Sequence, residues 1–161
     1  MRTLVAYYSR SGNTRFVAEN IADFLGADVE EVIDKSDRSG PIGWIKSGIH
    51  ATLELDTEIE KLEYSPSNYD LVILGSPVWN KRITPAMRTY LKKSNFSNSE
   101  IAFFNTNDSD KTQNTFGTMK DILEGKEPIS TLVLSKALEN KKESEKRIRK
   151  WCREVKSQVI E

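Results

Sequence analysis

Six consecutive residues, Ser9-Arg10-Ser11-Gly12-Asn13-Thr14, carry three hydroxyls, one arginine, one glycine and no carboxylate. They follow an apolar run, Leu4-Val5-Ala6-Tyr7-Tyr8, and precede Val17, Ile21 and Leu25, whose i, i+4, i+8 spacing marks one face of a helix closed by Gly26. The context predicts a loop between a strand and a helix N-terminus, where unsatisfied N–H groups and the positive end of the helix dipole favour an anion. Ser9, Ser11 and Thr14 add hydroxyl donors, and Gly12 lets the backbone curl closely around phosphate oxygens. The same residues also suit an ordinary strand–helix turn with Asn13 or Thr14 as the N-cap.

What is missing narrows the chemistry. A nucleotide-hydrolysing P-loop needs Gly-x4-Gly-Lys-Ser/Thr, and no lysine follows Gly12 in that pattern. A phosphatase with this cradle needs a cysteine nucleophile near its start, whereas the one cysteine of the chain is Cys152. A phospho-receiver domain needs carboxylates after its first and third strands, where this chain has Ser9 and Gly75-Ser76. Phosphate binding without phosphate chemistry is the reading left.

The elements that must position this loop follow from hydrophobic period. Val29 to Ile33 reads as a polar edge strand, and Leu71-Val72-Ile73-Leu74, apolar at every position, as a central strand covered on both faces. Gly40-Pro41 breaks the chain, and Ile42 to Leu53 has helical character. Thr84 and Pro85 look like an N-cap and first helical residue opening a helix through Leu91. Ile101 to Phe104 and Thr131 to Leu134 complete five strands, with a helix from Gln113 to Glu124 between them. Ile148, Trp151, Cys152, Val155 and Val159 form the apolar stripe of a last helix in the Lys/Glu-rich tail from Lys136 to Glu161. Strands alternating with helices imply an α/β doubly wound, five-stranded parallel sheet. Residues 1–161 are expected to form one domain, and its ligands are expected at the carboxyl ends of the strands, after Tyr8, Leu74 and Phe104.

Composition limits the partners. Twenty-four Lys+Arg balance twenty-four Asp+Glu, which argues against a general affinity for nucleic acid or anionic membrane. One cysteine excludes an intrachain disulfide and any multi-thiolate metal site, and fits a reducing compartment. The first apolar run is far shorter than a signal-peptide core or a membrane span, so a cytoplasmic protein is expected.

Ser9-Arg10-Ser11-Gly12-Asn13-Thr14 resembles the flavodoxin phosphate loop, Ser/Thr-x-Ser/Thr-Gly-x-Thr. Gly75-Ser76-Pro77-Val78-Trp79, followed by Pro85-Ala86-Met87, resembles the second flavin-contacting segment of flavodoxin-like proteins. The resemblance runs in order and spacing over about the whole chain, and implies a short-chain flavodoxin-like fold of strand order 2-1-3-4-5 that binds FMN. On that basis Ser9 to Thr14 would hold the FMN phosphate. Ser76, Pro77, Val78, Trp79 and Asn80 would meet the ring, with Trp79 stacked on it and the main chain of Val78 and Asn80 at its polar edge. Asn105, Thr106 and Asn107 would form a third loop with Asp108 and Asp110, bonding the pyrimidine end. The competing reading of Trp79 is packing on a helix, and that of Asp108 and Asp110 is a solvated turn.

Three departures from well-known flavodoxins stand out. No glycine lies between Ser76 and Arg82, which removes the flexible residue that many members use for a peptide flip on one-electron reduction. No aromatic lies between Asn105 and Asn114, so the second face of the ring is expected to be open. Lys81 and Arg82 flank the site where relatives tend to be acidic, and a nearby cation raises a flavin's potential. His50, with Trp44 and Lys46 near it, reads as an exposed helix residue, and Cys152 as a packing residue. The leading expectation is an electron carrier, monomeric or weakly dimeric, with protein redox partners, a reductase and an acceptor, and no catalytic acid or base. The alternative is an NAD(P)H-dependent FMN oxidoreductase acting on a quinone or other small acceptor, supported by the open ring face, the missing glycine and the Lys81-Arg82 pair; against it, the chain has no second nucleotide-binding fingerprint.

Overall fold

A computed structural model of the chain describes residues 1–36, 42–43, 45, 49, 53, 55–108 and 115–160. Among the described residues the fold is carried by β1 (Thr3–Tyr7), α1 (Asn13–Leu25), β2 (Asp28–Glu31), β3 (Leu71–Pro77), α2 (Pro85–Lys93), β4 (Glu100–Asn107), α3 (Thr115–Ile122), β5 (Thr131–Ser135) and α4 (Lys141–Ile160). Every ladder between the strands is parallel, and the order is β2-β1-β3-β4-β5, as the sequence implied.

The uninterrupted apolar run of β3 has a direct consequence. Strand side chains alternate between faces, so Leu71 and Ile73 enter one core while Val72 and Leu74 enter the other, and all four are fully buried. The first core joins α1, through Val17 and Ile21, to α4, through Ile148, Trp151, Cys152 and Val155. The second lies under α2 and α3, where Met87, Tyr90 and Met119 meet Ile101 and Phe103. Cys152 is a packing residue as expected, and burial pushes its thiol up to about 12.

Several boundaries differ from expectation for identifiable reasons. The second strand ends at Glu31 instead of Ile33, because the chain turns away to bridge Asp34 with Ile59. It still lies at the sheet edge. α2 runs two residues beyond Leu91, with Lys92 and Lys93 complementing the negative end of the helix dipole. β4 continues through Asn105, Thr106 and Asn107, since their backbones pair with β3 and β5 whatever the polarity of their side chains. These three residues are therefore strand, not loop. Lys136 to Asn140 precede α4 as a turn, with Lys136 in the left-handed region (φ 48°). Of the segment Ile42 to Leu53, the described residues Ile42, Gly43, Ile45 and Ile49 are helical, and Gly40-Pro41, Trp44, Lys46 and His50 lie outside the described residues. So do Asp110 and Gln113, and the described helix there starts at Thr115.

At Gly75, β3 and β4 are in tight contact. This residue pairs with Phe104, and a methyl group at Gly75 would lie 2.0 Å from Phe104 Cζ, so the ring lies across the strand only because no Cβ is there. Gly75→Ala is expected to destabilise the fold by at least about 1–3 kcal/mol through this overlap. Urea unfolding measures it, and a loss below 0.5 kcal/mol, on the order of an ordinary surface change, would contradict the packing described.

Candidate functional site

The carboxyl ends of β1, β3 and β4 surround a cavity of about 760 Å³. It opens at the switch between β1 and β3, where strand order reverses. Three of its walls follow the strand ends singled out by sequence.

The first wall is the β1–α1 loop. Gly12 stands at the helix N-cap with φ 92°, a left-handed conformation that favours glycine. It replaces Asn13 and Thr14 as the cap. Ser9 Oγ turns inward and accepts from the N–H groups of Gly12 and Arg15 (both 3.2 Å). The first bond of the helix runs from Phe16 N to Gly12 O (2.9 Å), so the N–H groups of Asn13 and Thr14 precede the ladder and have no carbonyl within the helix to receive them. Arg10, Ser11 and Asn13 line the cavity. Asn13 also ties the loop down: its Nδ2 donates to Ser11 Oγ (3.2 Å), and its Oδ1 accepts from Leu138 N (3.0 Å) across the domain. The Thr14 side chain does not line the cavity. Its hydroxyl is buried against Thr106 Oγ1 (2.8 Å), pinning the loop to the end of β4.

The second wall follows β3. Pro77, Val78, Trp79 and Asn80 all line the cavity, but Ser76 does not. Strand alternation turns Ser76 into the core under α2, where its hydroxyl donates to Pro77 O (2.8 Å) and accepts from Thr84 N (3.3 Å). Thr84 Oγ1 in turn accepts from Met87 N (3.4 Å), the expected N-cap of α2. The main-chain N–H of Val78 is already donated to Thr106 O (3.1 Å), so it cannot serve a ring edge as the sequence suggested. Trp79 packs on Tyr8: the rings meet edge to face at 5.4 Å, and the Arg10 guanidinium lies 5.6 Å from the indole centroid. Arg10 belongs to the loop expected at the phosphate, and its reach to Trp79 joins the two loops.

Trp79 and Arg82 exchange two backbone hydrogen bonds of 2.9 Å, closing a two-residue hairpin whose central residues, Asn80 and Lys81, both have positive φ (47° and 67°). This is the geometry of a type I′ turn, which ordinarily takes Asn-Gly. The chain therefore reaches the left-handed conformation without the glycine whose absence the sequence flagged.

The third wall is the end of β4. Thr106, Asn107 and Asp108 line the cavity, whereas Asn105 is fully buried on the α2/α3 side beside Ser76, its amide unbonded among the described residues. A fourth wall was not foreseen. Ile45 and Ile49 also line the cavity, and their i, i+4 spacing is visible in the sequence only as helical period. Beside the site, Arg15 pairs with Glu31, and burial raises the Tyr7 hydroxyl above its ordinary value against the opposing pull of the Arg15 hydrogen bond.

A family model described as Flavodoxin matches residues 2–155. The chain belongs to the flavodoxin family. No curated protein sequence matches it. Among solved structures, a putative flavoprotein from Bacteroides uniformis ATCC 8492 superposes with TM-score 0.81 at 19% identity, covering 94% of this chain and 97% of that one. A flavoprotein in complex with FMN from Lactobacillus acidophilus NCFM gives TM-score 0.67 at 24% identity, over 86% and 97%. A Streptococcus pneumoniae TIGR4 flavodoxin gives 0.62 at 14%, over 98% and 99%. At these identities the likeness is one of fold. Among the described residues of this flavodoxin-family chain no helix is long and apolar enough to cross a membrane, and no group of His, Cys, Asp or Glu could hold a metal ion.

The hairpin yields a test of the second wall. Lys81→Gly supplies the residue that its φ of 67° favours and is expected to raise stability by about 0.5–1 kcal/mol. Thermal or urea unfolding reads it. A destabilised variant would mean that Lys81 does not occupy the left-handed position.

Proposed function

We propose that this flavodoxin-family protein binds FMN in the cavity and transfers electrons through it. The observation that carries the reading is the meeting of two unlike walls on one 760 Å³ cavity: helix-end N–H groups with Ser11 on one side, and the Trp79 indole on the other. The donor set fits a phosphate, since the loop presents N–H and hydroxyl groups and contains no carboxylate. Ser11, with the N–H groups of Asn13 and Thr14, would hold the phosphate. Trp79, Asn80, Thr106 and Asn107 would border the ring. The Lactobacillus acidophilus relative in complex with FMN supports the same choice of cofactor. When bound, the flavin supplies the redox chemistry, and the protein supplies position and charge, with no acid or base of its own required.

Electron carriage between protein partners is the reading we favour for the role, in a protein acting in the cytoplasm as a monomer or weak dimer. Balanced charge and the absence of a second nucleotide-binding fingerprint support it. One observation favours a second reading, reduction of the flavin by NAD(P)H with transfer to a small acceptor: the cavity has an apolar wall, Ile45 and Ile49, that a phosphate site does not call for.

Titration of apoprotein is expected to give FMN at least about a hundredfold tighter binding than riboflavin, because each charge-assisted bond to the phosphate contributes about 1.5–3 kcal/mol. Equal affinities would refute the phosphate site. In the same FMN-loaded sample under anaerobic conditions, a carrier is reduced only slowly by stoichiometric NADPH, read as loss of visible absorption. Saturable bleaching at about 1–10³ per second would instead establish the second reading.

A further inference from the structure

Buried polar atoms without a partner are the exception in a folded chain, and among the described residues Asn105 is the one side chain that leaves both a donor and an acceptor in that state. It is fully buried, and neither Nδ2 nor Oδ1 meets a hydrogen-bond partner. Its direction follows from the strand: Ile101 and Phe103 enter the core under α2 and α3, so Asn105, two residues on, faces the same way. Phe103 stacks on Phe116 with ring centroids 6.0 Å apart, which seats the first turn of α3 over the end of β4. Thr115 opens that turn one residue before Phe116, and it too is fully buried with an unpartnered hydroxyl. Ser76, beside Asn105 on β3, has its own hydroxyl engaged with Pro77 O and Thr84 N.

We propose that the end of β4 and the first turn of α3 enclose a binding site for an ordered water, held by the Asn105 amide and the Thr115 hydroxyl. The unpaired atoms select the occupant. A halide or phosphate only accepts hydrogen bonds and would leave Asn105 Oδ1 unpaired, while a metal cation bound at Oδ1 would leave the Nδ2 protons unpaired and facing a like charge. Water both donates and accepts, so it can pair with either end of the amide and with Thr115 Oγ1, within the roughly two to four polar partners that buried waters have. Thr106 and Asn107 follow Asn105 directly and line the functional cavity, so the water ties the third wall of that cavity to α3. Nothing in this site depends on what the cavity binds.

An atomic-resolution crystal structure of the wild-type protein and urea unfolding of three variants test the site. The map is expected to show a water within hydrogen-bond distance of both the Asn105 amide and Thr115 Oγ1. Asn105→Leu and Thr115→Val keep the shape of each side chain while removing its polar atoms, and each is expected to lower the urea midpoint, because the water and the remaining partner lose a bond. The double variant is expected to lose less than the sum of the two, since both side chains serve one water. The sign of the first change is decisive: an amide with no partner of any kind burdens the fold, so leucine in its place would raise the midpoint. A raised midpoint in Asn105→Leu, additive losses in the double variant, or a map with an ion, another protein group or nothing between the two side chains would overturn the proposal. If a variant fails to fold, the wild-type map decides alone: a water bonded to both side chains upholds the site, and any other content refutes it.

Discussion

Burial of β3 on both faces is the constraint from which the site follows. Leu71 to Leu74 cannot lie at an edge or face water, so the strand must sit between neighbours with a helical layer on each side. Right-handed crossovers then send the chain to β2 on one flank and to β4 and β5 on the other, and the loops after β1 and β3 diverge at the one place where the order reverses. The cavity is the space between those diverging loops. Its existence is a consequence of topology, while its chemistry comes from the few residues that the strand ends deliver to it.

Those residues are held in place by a small set of polar ties. Thr14 and Thr106 join the first and third walls through a buried hydroxyl pair, Asn13 joins the first wall to the turn before α4, and Val78 joins the second wall to the third through its N–H. The Arg10 guanidinium over Trp79 closes the circuit between the phosphate side and the aromatic side. A ligand in the cavity would therefore meet walls already fixed to one another, which lowers the ordering cost of binding.

The division between what could and could not be read from sequence has a physical pattern. Period and polarity located all five strands, because β3 and β4 are apolar at successive positions and α4 keeps a clean stripe from Ile148 to Val155. They also located three of the walls, since loops at carboxyl ends follow from strand order. They did not reveal the direction of individual side chains near a strand end. Ser76 and Asn105 are paired neighbours whose side chains both point into the core, and the Thr14 hydroxyl turns onto Thr106, so three side chains expected at a ligand serve the scaffold. A one-residue alternation separates the two outcomes, and polarity carries no record of it. The fourth wall was missed for the opposite reason: Ile45 and Ile49 read as an ordinary helix face, and only tertiary placement brings them to the cavity.

The central claim is that helix-end N–H groups after β1 and the indole after β3 receive one ligand together. Amide and indole proton–nitrogen correlation spectra, recorded on labelled protein before and after one equivalent of FMN, test it most directly. The account predicts that the largest shifts fall on the amides of Ser11, Asn13 and Thr14 and on the Trp79 indole N–H, with the α4 residues Ile148 to Val155 unmoved. Shifts confined to one of the two loops, or centred away from both, would contradict it.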